Sequence, residues 1–390
     1  MILLSRNRAV NTLQRNRYKH VARRYAPWMS GRPKDLKGIR RPTMADVGRM
    51  AGVSATTVSF VINASPGEVI RPATRRRVLA AVEELGYRPN RAAQGLRTRR
   101  TSTIGFVTDE VAVEAFVGQI ITGAHDVAWR NGSVLLVVNT MRSRAVTRAA
   151  LDNLADRQVD SIIFASAGTR RVTLPPGSGR VPTILVNCFT ANNSVPCVLP
   201  DEVGGGRAAV RILIDAGHTS IAYLTGTPGA WATRGRLRGF REELRQAGID
   251  PRDQIVEAGN YQADSGYELT LELLTKRHRP TAILCGNDRM ALGSLMALRQ
   301  KGVDVPAEMS LVGYDDQDAL VTRISPAITN VRLPFYEMGR VGGRADVRTG
   351  CTGSGSTNPD AMRTSPARVR DRAEVMSPAR NEADVTWTTS

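Results

Sequence analysis

Two patterns of apolar residues divide the chain into two regions. Between residues 43 and 85, apolar residues recur every three or four positions, which is the spacing of short amphipathic helices. Between residues 103 and 340, short apolar runs rich in Val and Ile alternate with longer amphipathic stretches. Such runs are typical of parallel strands that helices cover on both faces. The sequence therefore predicts a small helical region followed by an α/β body.

In the helical region, the pattern predicts two short helices joined by a tight turn, with a third helix over 72–85. Thr43 and Asp46 form the Ser/Thr-x-x-Asp/Glu pattern of a capping box, which marks a helix start. Gly52 permits the sharp turn, and Ser54 is a suitable cap for the second helix. That helix has a slim, hydroxyl-rich outer face, which fits the major groove of DNA. The alternative is a helical hairpin at the edge of a larger core.

The α/β body contains seven strand candidates separated by helix-length segments. This alternation predicts two doubly wound lobes, each with a parallel sheet, in which ligands bind at the carboxyl ends of the strands. The candidates are residues 104–107, 134–138, 161–165, 183–187, 221–224, 282–286 and 310–314.

The two ends of the chain follow neither pattern. Residues 1–42 are dense in Arg and Asn, so we predict a basic, disordered arm. A functional arm would add contacts to phosphates or to a minor groove, but we favour a translation start at Met29 or Met44. Residues 341–390 are rich in Gly, Ser, Thr and Pro and are predicted to form an irregular, disordered tail.

The positive charge is concentrated before the α/β body. Residues 1–42 contain twelve Lys or Arg residues against one acidic residue, and residues 43–102 contain ten against four. Residues 103–340 contain twenty-five of each kind. This asymmetry indicates a polyanionic partner for the first hundred residues, most simply the phosphates of double-stranded DNA.

The sequence offers no recognisable catalytic, metal or membrane motif. Its four cysteines and four histidines lack metal-ligand spacing, which indicates reduced thiols rather than a disulfide framework. Residues 204–209 match G-x-G-x-x-A in letters, but without the preceding strand end and following acid that a dinucleotide site needs. No apolar run approaches the length of a membrane span. We therefore expect a cytoplasmic, nucleoid-associated protein without enzyme activity, cofactor or metal.

Three polar residues follow predicted strands of the body. Asn287 comes after 282–286, Asp315 after 310–314, and Arg236 lies in the first turn of the helix after 221–224. A guanidinium, a carboxylate and an amide at one strand-end crevice would bind the hydroxyls of a sugar or a small polar metabolite. The alternative is that Asp315 caps a turn and Arg236 is a solvated surface residue.

With these residues in view, the chain resembles the lactose-repressor (LacI) family of bacterial transcription regulators. The resemblance covers about residues 43–340. Its motifs are TMADVGRMAGVSATTVSFVIN at 43–63, RPATRRRVLAAVEELGYRPNRAAQGLR at 71–97, RGRLRGF at 234–240, CGNDRMALG at 285–293, SLVGYDD at 310–316 and SPAITNVRLPFYEMG at 325–339. The implied fold is α/β, with a helix-turn-helix headpiece and two periplasmic-binding-protein-like lobes of doubly wound parallel sheet. The expected domains are a DNA-binding domain at 43–88, a hinge helix and linker at 89–102, and an effector-binding and dimerisation domain at 103–340.

The resemblance also implies roles for individual residues. Base-reading positions are occupied by Ala55, Thr56 and Phe60, and phosphate-contacting positions by Thr43, Ser54, Thr57, Ser59 and Asn63. The hinge helix supplies Asn90, Arg91, Ala93 and Leu96, of which Leu96 would wedge into the minor groove. The effector-binding positions are Arg236, Asn287 and Asp315.

The function implied is that of a transcriptional regulator, a repressor, in which a small effector, expected to be a sugar, binds between the lobes. Family members are homodimers on palindromic operators. A competing function is that of a cytoplasmic sugar sensor with impaired DNA regulation. A metabolic enzyme with a basic tail lacks a visible catalytic constellation.

Two features depart from the family pattern. Phe60 stands where the family usually has Arg, so contact with a thymine methyl group replaces guanine readout. Beyond Arg344 the sequence lacks the expected final strands. We hypothesise a frameshift that replaces the C-terminus and leaves a sheet edge unpaired.

Overall fold

The computed structural model describes residues 42–63, 70–88, 100–109, 115–316, 324–325, 327–344, 362–365 and 368–370. The chain divides into two compact units, residues 1–90 and 91–390. Residues 1–41, most of the predicted basic arm, lie outside the described ranges, as do hinge residues 89–99.

The described part of the first unit contains three helices: α1 (Met44–Ala51), α2 (Ala55–Asn63) and α3 (Pro72–Glu84). The predicted capping box is present, because the Thr43 N–H donates to Asp46 Oδ2 at 2.9 Å and the Asp46 N–H donates to Thr43 Oγ1 at 3.3 Å. Gly52 ends α1 with φ of 65°, in the left-handed region that glycine adopts without strain. The three helices share a small apolar core of Val47, Ala51, Val58, Val61, Val78, Ala81 and Tyr87.

The described part of the second unit contains two sheets of six strands. The first sheet has the order β11-β5-β4-β3-β1-β2, and the second has the order β12-β10-β9-β8-β6-β7. The strands are β1 (Thr103–Thr108), β2 (Val134–Asn139), β3 (Ser161–Arg171), β4 (Thr183–Phe189), β5 (Cys197–Pro200), β6 (Ile221–Thr225), β7 (Ile255–Ala258), β8 (Ala282–Cys285), β9 (Ser310–Asp315), β10 (Thr329–Arg332), β11 (Met362–Ser365) and β12 (Arg368–Arg370). We call the two sheets with their helices the first and second lobes.

Seven α-helices accompany the sheets in the described ranges. Gly206 lets α6 and α7 approach closely in the second lobe, because a Cβ there would lie 2.2 Å from the Arg236 carbonyl oxygen. After β10 the chain crosses back to the first lobe, where Phe335 stacks on Phe116 with ring centroids 5.0 Å apart. The helices are α4 (Ala115–Arg130), α5 (Arg144–Asp156), α6 (Glu202–Asp215), α7 (Trp231–Gln246), α8 (Ala263–Thr275), α9 (Asp288–Gln300) and α10 (Phe335–Gly343). This architecture confirms the predicted fold class.

The prediction that no strands follow Arg344 is wrong in two places. β11 pairs in parallel with β5 at the edge of the first sheet, and β12 pairs antiparallel with β10 at the edge of the second. These short pairings give N–H and C=O groups of β5 and β10 partners that an open sheet edge lacks. The unpaired edge that we expected as the consequence of a frameshift is therefore contradicted at β5 and β10.

Within the described ranges, every helix is too short or too polar to cross a membrane.

Candidate functional site

The predicted DNA-contacting residues of the first unit lie at the start of α1 and along α2. Thr43 precedes α1 and Ser54 precedes α2, so both stand at helix N-termini, where unpaired backbone N–H groups and the helix dipole favour an anion. The Ser54 hydroxyl accepts from the Thr57 N–H at 3.1 Å and lies 3.0 Å from the Thr57 hydroxyl. These positions suit phosphate contacts.

The outer face of α2 carries small side chains at its start, and at its end the Asn63 amide hydrogen-bonds within the helix. Ala55 and Thr56 are exposed, while Phe60 is half-buried. Asn63 Nδ2 donates to the Ser59 carbonyl oxygen at 2.9 Å and to the Ser59 hydroxyl at 3.0 Å, which fixes both side chains on the last turn.

Exposed arginines add positive charge to the same unit. Arg71, Arg75, Arg76 and Arg77 lie at or near the start of α3 and are exposed. The predicted hinge contacts Asn90, Arg91, Ala93 and Leu96 lie outside the described residues.

In the second lobe, Arg236 is a buried residue, so the alternative of a solvated surface arginine is wrong. It is 4% exposed. Its Nε donates to Glu202 Oε2 at 2.7 Å and its Nη1 donates to the Gly286 carbonyl oxygen at 2.6 Å. Its Nη2 lies 3.2 Å from Asp315 Oδ1, and its Cζ lies 3.7 Å from the centre of the Tyr314 ring. The carboxylates, chiefly Glu202, raise the pKa of the guanidinium against the effect of burial.

Asp315 ends β9 in a constrained conformation. Its φ of 102° is uncommon for a residue with a side chain and marks local backbone strain of the kind found at functional sites. Burial raises the pKa of its carboxyl to about 6, although the positive charge of Arg236 opposes that change.

Asn287 begins α9 as its N-cap. Its side-chain oxygen accepts from the Met290 N–H at 3.0 Å, and its Nδ2 donates to the Tyr261 carbonyl oxygen at 3.1 Å. Tyr261 in turn places its hydroxyl 2.7 Å from that of Thr233, near the start of α7. The structure thus brings Arg236 and Asp315 into direct contact and places Asn287 beside Gly286, which Arg236 contacts.

A second polar cluster, which sequence reasoning missed, lies at the strand ends of the first lobe. Asp109 directly follows β1 and is buried. Its carboxylate accepts from Arg170 Nη2 at 2.6 Å, from the Ser166 hydroxyl at 2.9 Å and from the Ala167 N–H at 2.9 Å. These contacts lower the pKa of Asp109 although burial opposes them. Asn187, on β4, donates to the Ser166 carbonyl oxygen at 3.0 Å. The signal available in the sequence was the position of Asp109 after a strand, which matches that of Asp315.

The strand ends of the two lobes face each other at one aromatic contact. Phe189 ends β4 of the first lobe, and Trp231 begins α7 of the second. Their ring centroids are 4.6 Å apart. The polar clusters of both lobes therefore lie on facing edges of the two sheets.

Potential metal ligands and cysteine thiols are further candidate functional groups in the described ranges. His, Cys, Asp and Glu do not gather there in groups of three that could hold a metal ion. Cys188, Cys197 and Cys285 are free and buried, and burial raises the pKa of the Cys285 thiol to about 12. Such thiols are unreactive at neutral pH.

Comparison with known proteins finds similarity along most of the chain. Residues 43–90 match the model of bacterial regulatory proteins of the lacI family, and residues 210–373 match that of the periplasmic binding protein-like domain. The second match extends past residue 340, where we expected the resemblance to end.

Among relatives, catabolite control protein A of Priestia megaterium is 34% identical over 301 residues, which are 77% of this chain and 90% of that protein. The HTH-type transcriptional regulator GalR of Escherichia coli (strain K12) is 34% identical over 298 residues, 76% of this chain and 85% of that protein. Of solved structures, the lac repressor dimer bound to operator and the anti-inducer ONPF has a TM-score of 0.69 and 27% identity, covering 86% of this chain and all of that one. The complex of the transcriptional regulator CelR with cellobiose has a TM-score of 0.58 and 32% identity, with the same coverage.

Proposed function

This chain belongs to the lacI family of bacterial regulatory proteins, and from that premise we propose that it is a repressor whose binding to an operator is controlled by a sugar held between its two lobes. That it is a DNA-binding transcriptional regulator follows from its relatives. The observation that supports the sugar most directly is the buried Arg236–Asp315 pair at the strand ends of the second lobe.

On DNA, α2 enters the major groove and reads bases through its exposed face. Ala55, Thr56 and Phe60 contact base edges, with Phe60 against a thymine methyl group. Phosphates are held by Thr43, Ser54, Thr57, Ser59 and Asn63. The positions of Thr43 and Ser54 directly before α1 and α2 support this assignment, because the positive end of a helix dipole favours an anion. The hinge residues Asn90, Arg91, Ala93 and Leu96 contact the operator, with Leu96 in the minor groove.

The effector contacts Arg236, Asn287 and Asp315 from the second lobe. Similar chains give support, since the structure of CelR contains cellobiose. Effector binding changes operator affinity only as far as the effector binds the DNA-competent and DNA-free states with different affinities. An effector between the facing strand ends contacts both lobes, so its affinity depends on how the two lobes are arranged.

The regulator acts as a homodimer in the cytoplasm, on an operator with two related half-sites. A two-fold dimer presents two copies of α2 at a fixed spacing, which a palindromic operator matches. The lac repressor structure to which this chain is similar is a dimer on its operator. The competing function is a cytoplasmic sugar sensor with impaired DNA regulation, through a vestigial DNA head or a damaged C-terminus. The pairings of β11 and β12 count against the second of these reasons.

The test is effector control of DNA binding. DNA from upstream of the gene is titrated with full-length protein, alone and with each member of a panel of neutral sugars. We expect one sugar to change operator affinity at least tenfold in the wild type. The same sugar should have no effect on Asp315→Ala, which should keep its operator affinity without sugar. An undiminished response in Asp315→Ala would remove Asp315 from the effector site.

A further inference from the structure

Glu202 lies closer to Arg236 than Asp315 does. It is the first residue of α6, and its side chain is 3% exposed. Its Oε2 lies 2.7 Å from Arg236 Nε, and its Oε1 lies 3.5 Å from Arg236 Nη2. Nε and Nη2 form an edge on which a guanidinium binds a carboxylate or phosphate through two parallel hydrogen bonds. Glu202 therefore occupies that edge from within the protein.

The remaining donors of Arg236 are largely used as well. Nη1 donates to the Gly286 carbonyl oxygen, and Nη2 also meets Asp315 at 3.2 Å. The contact with Glu202 depends on Gly235, because a Cβ at that position would lie 2.6 Å from the Cβ of Glu202. The pairing of Arg236 with Glu202 is thus part of the packing of α7 against α6.

Charge in this cluster favours donors over anions. One guanidinium faces two carboxylates, which leaves the three side chains with a net negative charge when all are ionised. Arg289, on α9, is a further cation whose charge lowers the pKa of Asp315. Asp315 contacts Arg236 through Oδ1, and its second oxygen, Oδ2, is an acceptor to which a ligand hydroxyl can donate.

We propose that Glu202 is a positioning residue that determines specificity: by occupying Arg236 it prevents the site from binding an anion, so the effector is an uncharged polyhydroxy compound rather than a sugar acid or a phosphate ester. This inference rests on the proposed function, in which this site holds the effector. A neutral hydroxyl donates to Asp315 without disturbing the cluster. An acidic group would have to displace Glu202 from Arg236 and meet the charge of Asp315.

Two matched variants separate the position of a charge from its amount. Glu202→Gln and Asp315→Asn each remove one negative charge from the cluster. Only the first replaces the ionic partner of the Nε–Nη2 edge by a neutral amide oxygen, which an anion can displace. Full-length proteins are titrated with inorganic phosphate, by calorimetry and by the shift of the unfolding midpoint. We expect phosphate to bind Glu202→Gln at least tenfold more tightly than the wild type or Asp315→Asn. Phosphate should also raise the unfolding midpoint of Glu202→Gln. This readout still reports binding if the variant is partly unfolded in the absence of phosphate.

Each other result of the phosphate titration contradicts the proposal. Equal gains in the two variants would mean that net charge alone excludes anions, and no gain in Glu202→Gln would mean that Glu202 does not block the site. A second arm uses the wild type with matched pairs: D-glucose and D-glucuronate, D-galactose and D-galacturonate, D-ribose and ribose 5-phosphate. Tighter binding of any acidic member than of its neutral partner would also overturn the proposal. Operator binding, measured on the same preparations, separates a failure of the proposed function from a failure of this inference.

Discussion

Asp315 should make the stability of the second unit fall as pH rises, which is opposite to the usual effect of a carboxylate. Its folded-state pKa is about 6, against an ordinary value of 3.8, because burial disfavours the charged form. Between these two pH values the folded state holds a proton on Asp315 that the unfolded state has released. Stability from this group is therefore complete below pH 3.8, falls through the interval, and is lost above pH 6.

The size of the effect follows from the interval between the two pKa values. From 3.8 to about 6, the loss amounts to about 3 kcal/mol at 1.36 kcal/mol for each pKa unit. Asp315→Asn has no proton to release, so it should lack this contribution. Asp109, whose pKa is lowered, contributes in the opposite direction in both proteins and cancels in the comparison.

The assay is urea unfolding of wild type and Asp315→Asn between pH 4 and pH 7.5, followed by tryptophan fluorescence. Trp129, Trp231 and Trp387 belong to the second unit and Trp28 to the first, so both proteins carry Trp28→Phe and the signal then reports the second unit. The variant should gain about 2.4 kcal/mol relative to the wild type as pH rises from 4 to 7, because part of the loss occurs below pH 4. If the free energy of unfolding changed with pH in the same way in both proteins, a raised pKa at Asp315 would be refuted. If the variant instead lost stability relative to the wild type as pH rises, the pKa of Asp315 would be lowered rather than raised.

Three further predictions concern the helix-turn-helix headpiece and the hinge. Leu96→Ala should weaken binding to the operator while leaving binding to unrelated DNA unchanged, in a fluorescence anisotropy titration; equal losses on both DNAs would argue against a minor-groove wedge. Gly52→Ala places a side chain at φ of 65° and should destabilise the headpiece by about 1 kcal/mol or more, seen as a lower unfolding midpoint, whereas an unchanged midpoint would show that the turn relaxes. Thr43→Ala removes the capping box and should cost about 1 kcal/mol, with Thr43→Ser as the control that retains it.

Local chemistry made the headpiece predictable from the sequence. The capping box at Thr43 and the turn at Gly52 each depend on residues no more than a few positions apart, and the structure contains both. The Val-rich and Ile-rich runs predicted the central strands because burial on both faces demands such residues. β7 carries Glu257 and is only partly buried, so its composition gives no such signal.

The C-terminal strands and the polar clusters were harder to foresee for a different reason. β11 and β12 are short and rest on pairing with strands distant in the sequence. Glu202 meets Arg236 across 34 positions, and Arg170 meets Asp109 across 61. Spacing in the sequence could place Asp315 at a strand end. It placed Arg236 in the first turn of the helix after β6, whereas α7 begins at Trp231 and Arg236 lies in its second turn. It could not show that a third charged side chain, Glu202, already binds the guanidinium.

The measurement that tests the account most directly is the binding of purified full-length protein to DNA from upstream of its own gene, compared with shuffled DNA of equal length across a salt series. We expect much tighter binding to the upstream DNA, by roughly a thousandfold or more near physiological salt, with affinity for both DNAs falling as salt rises. Equal affinity for the two DNAs at every salt concentration would contradict it, because α2 would then contact phosphates without reading bases.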